Sequence, residues 1–282
     1  MELITMDDGC RLAVRTYGES TDRAAIVLIH GGPGMWDYFD ELAIELSRYA
    51  KVYTYDQRGC GESDHTPPYT MARFDQDLEA LREWSGEGQI TVIGHSFGAY
   101  LALAYASGHP QQTASLNYLS GLGVGEWRTE FQQAVRERHS VSDWQRLQLL
   151  GAMQQRTSQQ ERQFRRLSWQ TDYGDPEVGR RLAARDAAEL RPLNYALHRE
   201  IWAECRSWES GYLAELAASV RVPNHLIHGS EDPRPYRAVE RLAALTPNSE
   251  FTLLPGLGHL PWRENLGATV AAFNLPVSQA AH

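Results

Sequence analysis

The sequence predicts an α/β fold, a mostly parallel sheet interrupted by a helical insertion. Three observations carry that expectation. Short apolar runs at 24–29 and 90–93 suit strands buried on both faces, as in a parallel sheet covered by helices. Segments of helical period alternate with such runs. From 122 to 219 the chain is polar, rich in Arg and Gln and helical in pattern, with no clear strand. That stretch is too long for a loop. It reads as a cap resting over one end of the sheet, which divides the chain into a core of residues 1–121 and 220–282 and a cap of 122–219.

The elements follow in order. Asp7-Asp8-Gly9 is a turn signal between β-patterned runs at 3–5 and 11–17, so the chain opens with a hairpin. The buried run 24–29 is closed by glycines. Apolar residues at 39, 42, 43, 46 and 49 have helical spacing. A strand at 52–55, a helix at 71–84, a strand at 90–93, a helix at 99–106 and a strand at 116–119 continue the alternation. After the insertion the rhythm resumes with a strand at 224–228, a helix near 236–245, a strand at 251–254 and a helix at 266–273.

Composition removes several chemistries. The 282 residues are 42% hydrophobic and 22% charged, ordinary for a globular protein. With 27 basic and 36 acidic residues the net charge is −9, and no basic run exists to hold a nucleic acid. Lys51 is the only lysine and lies in no Gly-rich loop, which argues against Schiff-base and P-loop chemistry. Cys10, Cys60 and Cys205 are odd in number, and no pair has metal-ligand spacing, so neither a metal nor a disulfide framework is expected. The first 15 residues lack a signal-peptide run, and the longest apolar stretches are too short to cross a bilayer. The expectation is a soluble cytoplasmic protein with a small-molecule or short-peptide substrate and no cofactor, nucleic-acid partner or membrane attachment.

Gly94-His95-Ser96-Phe97-Gly98 lies between a predicted strand and a predicted helix. This is the G-x-S-x-G pattern in its required setting. Turning from strand to helix in one residue strains the backbone at Ser96 and aims its hydroxyl out of the sheet. Glycines on either side leave room for neighbouring backbone. The Phe97 amide, at the helix N-terminus, can stabilise an oxyanion.

A serine nucleophile needs a base and an orienting acid. Asp232 follows the strand at 224–228, and glycine-flanked His259 follows the strand at 251–254. Both sit at carboxyl ends of strands, where open α/β sheets place their sites. Glu231 is a neighbouring competitor, and Asp232 before Pro233 also reads as a helix cap. His30-Gly31-Gly32-Pro33-Gly34 follows the first buried strand and supplies the second oxyanion donor, for which Gly32 is the candidate. His30 reads as a brace for that loop.

Taken together, these motifs resemble an α/β-hydrolase of the proline iminopeptidase-like group. The resemblance rests on residues 30–34, Tyr55-Asp56-Gln57-Arg58-Gly59-Cys60-Gly61-Glu62-Ser63, the serine elbow, Gly229-Ser230-Glu231-Asp232 and Gly258-His259, in the family's order. It implies an eight-stranded sheet with a helical cap between the sixth and seventh strands. It also implies release of an N-terminal residue from short peptides or amides. The elbow departs from the Gly-Gly-Ser-Trp-Gly common in that group by having His95 and Phe97. Family members hold the substrate amine with cap carboxylates. Glu200 and Glu204, four apart on a probable helix face, are the candidates here, against the alternative of two solvated acids. Five of eight tryptophans (Trp127, Trp144, Trp169, Trp202 and Trp208) fall in the cap, either lining a pocket or packing its helices together. Two other functions stay open: an esterase, lactonase or amidase with the same machinery, and a non-catalytic ligand binder on the same fold.

Overall fold

The structure, a computed structural model, describes residues 1–207 and 211–275. Eight strands form one sheet: β1 (Glu2–Thr5), β2 (Arg11–Tyr17), β3 (Ala25–Ile29), β4 (Val52–Tyr55), β5 (Ile90–His95), β6 (Thr113–Leu119), β7 (Asn224–Gly229) and β8 (Ser249–Leu254). Their order is β1-β2-β4-β3-β5-β6-β7-β8. The β1–β2 hairpin and the β2–β4 pair are antiparallel, and every other pair is parallel. The predicted mostly parallel eight-stranded sheet is therefore present.

Alternation within the strands explains why it is covered on both faces. Val27 and Ile29 of β3 join one apolar cluster while Ile26 and Leu28 join the other. Val92 and Ile93 of β5, and Leu226 and Ile227 of β7, divide in the same way. The first face is covered by α2 (Met71–Ser85), α3 (Phe97–Gly108), α9 (Tyr212–Ser219) and α10 (Tyr236–Leu245), through residues such as Leu78, Leu101, Leu213 and Leu242. The second is covered by α1 (Asp40–Leu46) and α12 (Leu266–Ala271), through Leu42, Leu46 and Val270. Each such side chain contributes roughly 1.5–3 kcal/mol on burial. Helix ends follow local chemistry: the Thr70 side chain accepts the Arg73 amide at the start of α2, and Gly86, at φ 74°, ends it.

Between β6 and β7 lie α4 (Arg128–Glu137), α5 (Val141–Gly151), α6 (Ser158–Trp169), a 3-10 turn at Gln170–Asp172, α7 (Pro176–Ala188), α8 (Tyr195–Ser207) and α9. A Thr157–Gln160 capping box starts α6, and Asp175 with Pro176 starts α7. No strand is described in this stretch. Short α11 (Pro261–Glu264) follows the His259 loop. Among the described residues, no helix is long and apolar enough to cross a membrane.

Element ends differ modestly from the sequence reading: β6 begins at Thr113 rather than 116, and α3 at Phe97 rather than 99. Glycine counts against a helix, yet Gly98 lies inside one because only glycine fits there. A Cβ on Gly98 would sit 2.0 Å from the Ile29 carbonyl oxygen, and one on Gly94 would sit 2.2 Å from the Gly98 oxygen.

The motif at 56–63 has a structural task. Arg58 is fully buried, bonding Asp77 through both Nε and Nη2 at 2.8 Å and Asp8 at 2.7 Å. Arg73 adds a further bond to Asp77 at 2.8 Å. The hairpin turn, the motif and α2 are thereby locked to one another. Gly98→Val is expected to cost about 3 kcal/mol, the upper end for overpacking against rigid surroundings, measured by urea denaturation. Asp77→Ala leaves Arg58 buried with less counter-charge and is expected to cost about 3–5 kcal/mol, read as a lowered Tm.

Candidate active site

Ser96 caps α3 at φ 56° and ψ −119°, a region that L residues occupy at a cost of about 1–3 kcal/mol. Its amide donates to the Leu119 carbonyl at 3.0 Å and its carbonyl accepts the Ala99 amide at 3.1 Å, so the elbow is bonded on both sides. The Phe97 amide opens the helix, where N–H groups have no partner in the preceding turn.

The 30–34 loop lies against the elbow. A Cβ on Gly31 would fall 2.7 Å from the Ser96 Cβ, so only glycine permits this approach. The Gly31 amide donates to the Tyr38 hydroxyl at 2.6 Å. It is thus taken, and Gly32, at φ 50° and lining the same cavity as Ser96, remains the candidate second donor. Beneath the loop, the Gln57 amide donates to His30 Nε2 at 3.1 Å, and the Gln57 side chain donates to the His30 carbonyl at 2.6 Å. His30 is a brace, held by the 56–63 motif. With Nε2 accepting, its Nδ1 carries the proton and donates to the Gly31 carbonyl.

His259 Nδ1 lies 2.6 Å from Asp232 Oδ2. Asp232 is buried, and burial works against its charge. The neighbouring His259, His228 and Arg234 outweigh that cost and hold its carboxyl well below the usual range. An ionised Asp232 makes Nδ1 the donor, which leaves Nε2 of a neutral His259 as an acceptor. Glu231, the neighbouring acid, is exposed, so Asp232 is the carboxylate that meets the histidine.

His95, beside the candidate nucleophile, joins the loops together. Its Nε2 donates to the His259 carbonyl at 2.8 Å, and its Nδ1 accepts the Tyr38 hydroxyl proton at 2.7 Å. Burial pushes the His95 imidazole well below its ordinary value, and a neutral ring suits both bonds. No spacing in the sequence marked Tyr38, because its partners come from three separate segments.

Ser96, His259, Gly32 and Arg234 line one cavity of about 630 Å³. Its walls are aromatic: Trp36 meets Trp169 edge-on, and Trp262 stacks on Tyr38. Of the five tryptophans singled out in the insertion, Trp169 lines this cavity. Trp144 packs with Leu147 and Leu150, while Trp127 and Trp202 pack against the main core. Trp208 falls outside the described residues. Trp36 comes from the loop after β3 and Trp262 from short α11, where no local pattern set them apart.

The structure does not bring Glu200 and Glu204 to this cavity. Glu200 is exposed on α8, and the Glu204 carboxylate accepts the Met71 amide at 3.0 Å at the start of α2. The physical reason is the direction in which α8 is turned. Leu197, Ile201 and Cys205 go into the main core and carry Glu204 toward a helix N-terminus, which favours a carboxylate. Carboxylates that do line the cavity include Glu41, Asp172, Asp186 and Glu189, alongside Arg185, Arg191, Arg234 and Arg263.

Comparison with known proteins agrees with this architecture. A family model described as alpha/beta hydrolase fold matches residues 24–265. The proline iminopeptidase of Lactobacillus helveticus is 36% identical over 132 residues, covering 43% of this chain and 44% of that protein. The proline iminopeptidase of Saccharolobus solfataricus is 32% identical over 163 residues, covering 51% and 52%. The matches thus span about half the length of these curated relatives or less. Among solved structures, an enol-lactonase from Burkholderia xenovorans superimposes with a TM-score of 0.72 at 16% identity, covering 96% of this chain and 97% of that one. A proline iminopeptidase from Mycobacterium smegmatis gives 0.71 at 17%, covering 96% and 95%. At such identities these neighbours speak to the fold alone. With the family model spanning most of its length, this chain belongs to the α/β-hydrolase fold family and resembles the proline iminopeptidases over about half of its length.

Proposed function

We propose that the chain is a serine hydrolase of the proline iminopeptidase type, releasing proline or a small hydrophobic residue from the N-terminus of short peptides or amides. One observation carries the reading: strained Ser96 lines a single cavity with His259, whose Nδ1 is 2.6 Å from buried Asp232. In the reaction, His259 Nε2 takes the Ser96 proton as Oγ attacks the scissile carbonyl. The Phe97 and Gly32 amides bear the charge that develops on the carbonyl oxygen. His259 then gives its proton to the leaving nitrogen as the C–N bond breaks, leaving an ester on Ser96. Water, deprotonated by His259 Nε2, attacks that ester, and the proton passes from Nε2 to Ser96 Oγ as the acid is released. The steps call on no cofactor.

The substrate class is supported by the similarity to proline iminopeptidases, and by a cavity whose size and aromatic walls suit a prolyl ring and a short peptide. A cytoplasmic location is supported by Cys10, Cys60 and Cys205, which are buried free thiols. A second reading keeps every catalytic residue and changes the substrate to an ester or lactone of a small hydrophobic metabolite. It is favoured by the position of Glu200 and Glu204 away from the cavity.

Turnover of prolyl and alanyl arylamides, compared with p-nitrophenyl acyl esters, separates the two readings. Arylamide cleavage supports the peptidase, and ester cleavage alone supports the second. Ser96→Ala is expected to lower kcat by at least about 10³-fold on either substrate and to abolish fluorophosphonate labelling; full activity in that variant removes the serine mechanism. Glu200→Gln and Glu204→Gln are each expected to leave KM within about twofold, since neither carboxylate meets the cavity. Glu204→Gln should still cost about 0.3–1 kcal/mol at the start of α2, detectable as a small fall in Tm.

A further inference from the structure

One residue of the inserted segment touches both loops that carry the candidate acid and base. The Asp172 carbonyl accepts the His259 amide at 2.6 Å. The Asp172 carboxylate receives the guanidinium of Arg234. Arg234 in turn gives Asp232 Oδ1 its backbone amide at 2.9 Å and the same guanidinium nitrogen at 3.4 Å. The other oxygen of Asp232 is the one that meets His259. The surroundings hold this clasp shut. A Cβ on Gly258 would fall 2.4 Å from the Asp172 oxygen, and one on Gly174 would fall 2.2 Å from the Gly256 oxygen. Glu264 accepts the Gly174 amide at 2.9 Å and the Gly258 amide at 2.7 Å, and Arg138 bridges the Thr171 and Glu231 carbonyls.

We propose that Asp172 is a positioning residue for the Ser96–His259–Asp232 machinery: it fixes the His259 loop through its carbonyl and neutralises Arg234 through its carboxylate. The proposal rests on the serine-hydrolase reading and extends it to a residue contributed by the insertion. Arg234 stands between two carboxylates. With Asp172 present, its charge is balanced and Asp232 is left to orient the histidine. Without Asp172, an uncompensated cation lies beside the pair and disfavours a positive imidazolium. Other titratable or charged groups around Asp232 and His259 include His95 from β5 and His228 from β7, both held toward the neutral form by burial, Glu264 and Arg138, which bond the backbone of the His259 and Asp232 loops, and Arg263 of α11, whose guanidinium is taken by Asp186.

The test measures kcat, KM and the pH dependence of kcat/KM per fluorophosphonate-titrated site, on the arylamide or ester that the wild type turns over. Asp172→Asn is expected to lower kcat about tenfold with KM within twofold, and to move the acidic limb to lower pH by about half a unit or more. Arg234→Gln should move that limb the opposite way, because Asp172 then stands unneutralised. The double variant should return it toward the wild-type position, and Asp172→Glu should recover part of kcat. Opposed shifts that cancel cannot come from a loss of folded protein. The proposal is overturned if the limb stays fixed in both single variants, or if KM rather than kcat carries the loss in Asp172→Asn. Failure of the underlying reading looks different: the wild type would not label, or Ser96→Ala would keep its activity, and either result overturns both.

Discussion

Ser96 stands above the carboxyl edge of the sheet because three stretches of backbone approach there more closely than any side chain allows. Gly98 presses on the Ile29 carbonyl, Gly94 on the Gly98 oxygen and Gly31 on Ser96 itself. That crowding brings the end of β3, the elbow and the first turn of α3 to one point. The strained backbone at Ser96 is small against the burial of α3, where Leu101, Leu103 and their neighbours are wholly enclosed. The rigid core therefore sets the position of the hydroxyl and the helix amide, and little reorganisation is left for a reaction to require.

Around this point the polar groups are partnered in chains. Gln57 holds His30, Tyr38 joins Gly31 to His95, and His95 reaches the His259 backbone. Each link fixes a tautomer or an amide, and the bonds from Gln57 to His30 and from His95 to His259 are buried, where a broken bond is costly. Loops after β3, β5 and β8 are coupled by these bonds although their residues are far apart in the chain. The buried Arg58–Asp77 pair does the same work further out, tying the 56–63 motif to α2 and the hairpin turn.

The inserted helices do more than roof the cavity. They supply Trp169, Arg185 and Asp186 to its wall. Asn194 lies against the 30–34 loop, its amide bonded to the Gly34 carbonyl at 2.9 Å. Asp172 lies against the acid and histidine loops. Contacts of this kind tie the insertion to the loops that carry Asp232 and His259.

The strand–helix alternation, the two-faced burial and the order of the glycine-rich motifs were legible from local pattern alone. Backbone conformation and burial period act over a few neighbouring residues, so G-x-S-x-G and the glycines beside His30 and His259 declared themselves. What local pattern left open was which side chains converge. Glu200 and Glu204 had helical spacing suited to a shared ligand, yet the burial of Leu197 and Ile201 turned α8 so that Glu204 meets α2 instead. Tyr38, Trp262, Arg234 and Asp172 carried no periodic mark, since their roles depend on partners from distant segments. Local sequence thus determined the fold class and the candidates for nucleophile, acid and base. The tertiary structure decided the lining of the cavity and the bonds that hold those groups, because helix orientation and loop contacts are set by packing across the whole core.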